Sequence, residues 1–103
     1  MAARVRSLVL ADGVLEVDVV AQRLSMSART LKRRLSAEGT SYSELLDQER
    51  RARAEAMLTG GRAIKEIAVR LGFADAAAFS HAFTRWTGKS PSQWRDERAG
   101  APE

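Results

Sequence analysis

Arg29, Lys32, Arg33 and Ser36 fall at i, i+3, i+4 and i+7 within the stretch SARTLKRRLSAEG, Ser27 to Gly39. On a helix this spacing puts all of them on one face. Arg23 and Arg34 extend the basic run, and no acid lies between Val19 and Ala37. A solvated basic face normally carries acids at i,i+4 positions, which relieve its self-repulsion. A face without them suits a polyanion. Arginine donates to guanine O6 and N7 in the major groove, and lysine reaches the same acceptors. Arg29, Lys32 and Arg33 are therefore candidate base-contacting residues. Arg34 lies off that face and is a candidate phosphate contact, as are the hydroxyls of Ser27 and Ser36.

The elements that must hold this face are legible around it. Leu31 and Leu35 lie one turn apart and face a core together with Leu24, opposite the cations. Ser27 is the expected N-cap of a helix from Ala28 to Glu38, and Gly39 its stop. A helix from Val17 to Leu24 precedes it, with Val17, Val20, Ala21 and Leu24 as the inward stripe and Asp18 near its positive end. An earlier helix is expected over Val5 to Leu10, ending near Gly13. VLEVDVV, Val14 to Val20, is the one strand-like stretch, but it runs on into the helical period.

Downstream, Ser41 and Glu44 form a capping box opening a helix from Tyr42 to about Leu58, closed by Gly60 and Gly61. Leu45, Leu46, Ala52, Ala56 and Met57 are its apolar positions. A further helix covers Ala63 to Leu71, with Ile64, Ile67, Ala68 and Leu71 inward. Asp75 caps the next, Ala76 to Thr87, with Phe79, Phe83 and Trp86 inward at i, i+4 and i+7. Removing Trp86 is expected to open a core cavity. Ser90, Pro91 and Gln93 start the last helix, anchored by Trp94. The tail AGAPE is expected to fray.

VAQRLSMSARTLKRRLSAEGTS and IAVRLGFADAAAFSHAFTRWTGKS are a near-repeat. Ala21, Arg23 and Leu24 match Ala68, Arg70 and Leu71, each 47 residues on, and Gly39 matches Gly88 at an offset of 49. Each copy is a short helix, a tight turn and a second helix, the helix-turn-helix pattern. In the second copy Ala76, Ala77, Ser80, His81, Thr84 and Arg85 are left outside or at the core margin. Alanine can touch a thymine methyl but carries no hydrogen-bond code. This copy reads as phosphate-anchoring with weak base discrimination, through Ser80, Thr84 and Arg85. The helix between the copies spans roughly 25 Å at about 1.5 Å per residue. With its flanking units it approaches the roughly 34 Å between successive major-groove faces. Its Arg50, Arg51 and Arg53 are open to phosphate or to pairing with Asp47, Glu49 and Glu55.

The whole chain is consistent with this. Its 103 residues are 45% apolar, enough for one modest core. Cysteine is absent and His81 is the single histidine, so no metal site is expected. No apolar run approaches the roughly 20 residues of a membrane span. The apolar stretch of MAARVRSLVLADG is too short for a signal peptide, so the protein reads as cytoplasmic. Net charge is +4 and the pI about 10.3, compatible with nucleic acid.

AVRLGF, FSHAFTRWTGKSPSQWR and MSARTLKRRLSAEGTSYSELLDQERRARAEAML together resemble the DNA-binding domain of the AraC/XylS family of bacterial transcription regulators, over about Glu16 to Glu97. The resemblance implies an all-α, seven-helix domain of two homeodomain-like helix-turn-helix units joined by a long linker helix. In this chain that is one domain over residues 1–103. The first unit lies at about 17–39, the linker helix at 41–59, the second unit at 63–88 and the C-terminal helix at 90–98. It implies that Arg29, Lys32 and Arg33 face bases, and that Ala76, Ala77 and His81 occupy the base-reading positions of the second unit. Family members often carry glutamine or another polar residue at the first two and arginine at the last, so this unit departs from the pattern.

Family members usually have a separate ligand-binding or dimerisation domain, for which this chain has no room. Either the chain is a fragment, the C-terminal part of a longer effector-responsive regulator, or it is a stand-alone regulator; the start at MAARVRS, already entering the first helix, favours the fragment. Double-stranded DNA is the expected partner and RNA polymerase a further candidate. No cofactor is expected. The competing reading is a helical module that offers its basic face to an acidic protein. Catalysis has little support: paired inward carboxylates, a Ser/His/Asp order and a Gly-rich phosphate loop are all lacking.

Overall fold

The computed structural model describes residues 1–10 and 15–99. They form α1 (Ala2–Val9), α2 (Val17–Arg23), α3 (Ala28–Ala37), α4 (Tyr42–Thr59), α5 (Ile64–Arg70), α6 (Ala76–Thr87) and α7 (Pro91–Ala99). No strand occurs among the described residues, and Val17 to Val20 of the strand-like stretch open α2. The expected stop near Gly13 and the fraying of the tail beyond Ala99 lie outside the described residues. The chain divides into two units, Met1–Arg50 and Arg51–Glu103, with the first half of α4 in one and the rest in the other.

Local side chains start four of the helices. The Ser27 hydroxyl accepts from the Thr30 N–H at 3.1 Å, and Ser41 from the Glu44 N–H at 3.2 Å. The Asp75 carboxylate accepts from the Ala78 N–H at 2.8 Å, and Ser90 from the Gln93 N–H at 3.1 Å. Each such bond satisfies a donor the helix cannot, and is worth about 1 kcal/mol. The first helix differs. It begins at Ala2 rather than Val5, because the Ala2 N–H finds the Glu38 carboxylate at 3.2 Å, a partner 36 residues away.

In the first unit Val5, Val20, Ala21, Leu31, Leu35 and Leu45 form an aliphatic core, flanked by Leu24, Met26 and Tyr42. The Tyr42 hydroxyl donates to the Leu15 carbonyl and ties the entry of α2 to α4. Burial, and then the Glu16 carboxylate, push the Tyr42 phenol above its ordinary value, against a smaller opposing effect of Arg50. The phenol is thus protonated throughout the physiological range. Its raised pKa contributes stability that is fully present below about pH 10 and is lost as pH rises further.

In the second unit the core is aromatic. Phe79 and Phe83 are fully buried with Leu58, Ile67, Ala68 and Leu71, and Trp94 closes it from α7. Trp86 is only half-buried, so Phe83 rather than Trp86 is the central ring. Phe83 lies 5.7 Å from Phe79, 6.3 Å from Trp86 and 5.8 Å from Trp94, centroid to centroid. The α4 stripe also differs from expectation. Ala52 and Ala56 are exposed, while Ala54 and Leu58 are buried. Residues two apart on a helix are separated by about 200°, so Ala52 and Ala56 sit on the face away from Ala54. Each half of α4 serves its own core, Leu45 in the first unit and Ala54 with Leu58 in the second, so one stripe does not describe the helix.

The near-repeat extends to the backbone. After α2, the Met26 N–H donates to the Ala21 carbonyl at 3.0 Å and the Ser25 N–H to Gln22 at 3.0 Å. After α5, the Phe73 N–H donates to Ala68 at 2.9 Å and the Gly72 N–H to Val69 at 3.2 Å. Both are the same paired C-terminal closure, which needs a left-handed residue. Gly72 supplies it at φ +82°, and Ser25 at φ +59°. A side chain there costs about 1–2 kcal/mol, partly offset by the greater freedom glycine has when unfolded. Ser25→Gly is therefore expected to stabilise the first unit by roughly 0.5–1 kcal/mol, read as a higher urea midpoint at unchanged slope.

Candidate nucleic-acid interface

Leu31 and Leu35 are fully buried, and they fix how α3 is rotated on its unit. Arg29, Lys32, Arg33, Arg34 and Ser36 are consequently all exposed. None of these four cations forms an ion pair among the described residues. Arg29 also stands in the first turn of α3, where no acid is present. A cation there opposes the helix dipole by about 0.3–1 kcal/mol. The sequence thus maintains a face that costs stability by itself. Ser27 is different: its oxygen caps α3 and its proton is given to Thr30 Oγ1 at 3.0 Å, so this hydroxyl is used by the fold.

On α6 the buried Phe79, Ala82 and Phe83 set the rotation. Ala77, His81, Thr84 and Arg85 are exposed, while Ala76 and Ser80 are half-buried. Thr84 donates its hydroxyl proton to the Ser80 carbonyl at 2.8 Å, so it offers no free donor outward. Arg85 has no ion pair among the described residues. The two capped helices align residue for residue from Ser27 and Asp75: Arg29 corresponds to Ala77, Lys32 to Ser80, Arg33 to His81 and Ser36 to Thr84. Where α3 projects three long cations, α6 projects a methyl, a hydroxymethyl and an imidazole.

The remaining cations divide by partner. Arg51 lies 3.5 Å from Glu55 and also donates to the Trp86 carbonyl at 3.0 Å. Glu66 takes both Arg62 at 3.0 Å and Arg70 at 3.2 Å. Lys89 pairs with Glu97, and Arg98 stacks over the Trp94 ring at 4.5 Å. Arg50 lies 3.9 Å from Asp47 with its side chain only 17% exposed. Burial pushes the Arg50 guanidinium below its ordinary value, with Asp47 and then Tyr42 opposing. Of the three α4 arginines, Arg53 alone is exposed without an ion pair among the described residues. Arg23 in α2 is exposed but engaged.

Two cations given no role by the sequence reading, Arg4 on α1 and Lys65 on α5, are exposed with no ion pair, side-chain hydrogen bond or ring contact among the described residues, unlike Arg6, which donates to Gln48. The signal was available: neither has an acid three or four positions away. Among the described residues no group of three or more His, Cys, Asp or Glu side chains could hold a metal ion, and no helix is long and apolar enough to cross a membrane.

Comparison with known proteins places these observations. A family model described as a helix-turn-helix domain matches residues 20–97. The ornithine utilization regulator of Pseudomonas aeruginosa is 42% identical over 96 residues, covering 90% of this chain and 28% of that protein. Across the first curated relatives matched, this chain spans only 22–28% of their length. Among solved structures, a transcriptional regulator from Chromobacterium violaceum described by its AraC-type DNA-binding domain superimposes with a TM-score of 0.86 at 26% identity, over 98% of this chain and 94% of that one. The DNA-binding domain of AdpA, solved in complex with a target DNA, superimposes with a TM-score of 0.82 at 32% identity, over 99% of this chain and 96% of that one.

Proposed function

The chain belongs to the AraC-type helix-turn-helix family, and from that premise we propose that it binds double-stranded DNA sequence-specifically as the DNA-binding part of a longer, effector-responsive bacterial transcription regulator acting in the cytoplasm. In this reading α3 enters the major groove. Arg29, Lys32 and Arg33 contact base edges, and Arg34 and Ser36 contact phosphate. The second unit approaches through α6, with Ala76, Ala77 and His81 toward bases and Ser80 and Arg85 toward the backbone; Thr84, expected at phosphate, has its hydroxyl proton committed to the Ser80 carbonyl and presents its methyl instead. Ser27 contributes through the cap it forms at the start of α3. RNA polymerase is the further partner such a regulator addresses.

One observation carries this reading. The exposed face of α3 holds four cations within six residues and no ion pair among the described residues, whereas Arg50, Arg51, Arg62, Arg70 and Lys89 each have an acid beside them. Counter-charges have been left off this surface, and a phosphate backbone supplies them. The deciding experiment selects duplexes from a random pool and compares the selected site with random duplex at one salt concentration. A preference of about a thousand-fold or more is expected of a specific regulator. Equal affinity for both, together with capture of an acidic protein, would transfer the basic face to the competing role of protein interaction.

The phosphate assignment makes a separate prediction. Arg34→Ala is expected to weaken binding to selected and random duplexes by the same factor, and to reduce the slope of log K against log salt by about one. An effect confined to the selected site would move Arg34 to the base-reading group.

A further inference from the structure

The register between α3 and α6 leaves the second unit with an unusual reading surface. At the position of Arg29 stands the exposed methyl of Ala77, preceded by half-buried Ala76. At the position of Ser36 stands Thr84, whose hydroxyl proton is committed to the Ser80 carbonyl at 2.8 Å, which leaves its methyl as the group without a partner. Ser80, at the position of Lys32, is half-buried and too short to reach a base edge as lysine can. The bidentate donors that select guanine on α3 have no counterpart here. What remains toward the groove is a methyl surface with one imidazole, His81, beside it.

From this surface, and resting on the DNA-binding reading above, we infer that the second unit selects its half-site by the C5-methyl group of thymine rather than by guanine donors, with Ala77 as the specificity-determining residue. In the major groove the base feature that an alanine or threonine methyl recognises is that C5-methyl. Short side chains also let the helix backbone come closer to the base edges, so that a methyl can make contact at all. The same chemistry accepts 5-methylcytosine, which carries a methyl at the equivalent ring position. The first unit reads hydrogen-bond acceptors and the second reads shape and apolar contact, so the two half-sites differ in kind.

Deoxyuridine, which differs from thymidine only by that methyl, provides the test. Duplexes are selected from a random pool with the whole chain, and Arg33→Ala identifies the half-site read by the first unit, whose sequence preference it relaxes. Thymines of the other half are then replaced one at a time by deoxyuridine. Loss of a contacted methyl is expected to weaken binding about fourfold, the equivalent of the roughly 0.8 kcal/mol of one buried carbon. Replacing cytosine by 5-methylcytosine at a position where thymine is preferred is expected to recover a similar factor. Ala77→Gly, checked for an unchanged fold by its helical circular dichroism, is expected to bind thymine and deoxyuridine duplexes equally. Binding that ignores every deoxyuridine substitution in the second half, while the selected site is still preferred over random duplex, overturns the methyl inference and leaves DNA recognition standing. A chain that prefers no duplex at all overturns both.

Discussion

Phe83→Ala is expected to unfold the second unit under conditions where the parent is folded, at a cost of about 3–5 kcal/mol. The ring is fully buried and lies within 6.3 Å, centroid to centroid, of Phe79, Trp86 and Trp94. Those partners come from α6 and α7, and no small side chain can span the gap between them. A domain of this size has only about 5–15 kcal/mol in total, so the loss is a large share of it. The chain's two tryptophans, Trp86 and Trp94, both flank this ring, so intrinsic fluorescence during urea unfolding reports the second unit directly. Trp86→Ala is expected to cost less than Phe83→Ala, because Trp86 is half-exposed and water can enter the space it leaves. A Phe83→Ala chain with the parent's urea midpoint would mean that the aromatic cluster is not what holds α6 and α7 together.

Arg33→Ala is expected to weaken binding to the selected duplex by roughly 1–3 kcal/mol, to affect random duplex much less, and to relax one base position. Arg33 is exposed on the face opposite Leu31 and Leu35, and no ion pair holds it among the described residues. Deleting it should leave folding intact, so unchanged thermal unfolding is part of the expected result. Arg29→Ala should behave likewise at a different base position. Arg33→Lys should recover only part of the loss, since an ammonium cannot reproduce the paired donors of guanidinium. If Arg29→Ala and Arg33→Ala both bound every duplex as the parent does, base reading would not reside on this face of α3.

Much of the fold is legible in the sequence because its signals are local. Ser27, Ser41, Asp75 and Ser90 each cap the helix they precede, and a cap needs only a side-chain oxygen and an N–H three residues on. The limits of α6 follow from Asp75 and Gly88 alone. The inward pairs Leu31 with Leu35 and Phe79 with Phe83 follow from the 3.6-residue period, and with them the outward set on each second helix. The resemblance to a known family rests on the same short-range order of residues.

Three features were not legible from local residue types. The first helix starts early because Glu38, contributed by the far end of α3, satisfies the Ala2 N–H. The buried positions of α4 are Leu45, then Ala54 and Leu58, because two different cores claim its two halves. The left-handed serine at position 25 is required by the closure of α2, but serine does not announce φ +59° by its type, so only alignment with Gly72 makes it legible.

The candidate interface divides in the same way. Residue types and spacing by themselves determined which side chains stand outward on α3 and α6, because rotation about a helix axis follows from which residues must be buried. Only the tertiary structure decided which cations find partners beyond their own helical turn. Arg51 reaches the Trp86 carbonyl and Lys89 reaches Glu97, Arg50 is drawn into partial burial, and Arg29, Lys32, Arg33 and Arg34 keep their charge facing solvent. Pairing depends on distance in space and on which rotamers packing allows, and a linear sequence specifies neither until the chain has folded.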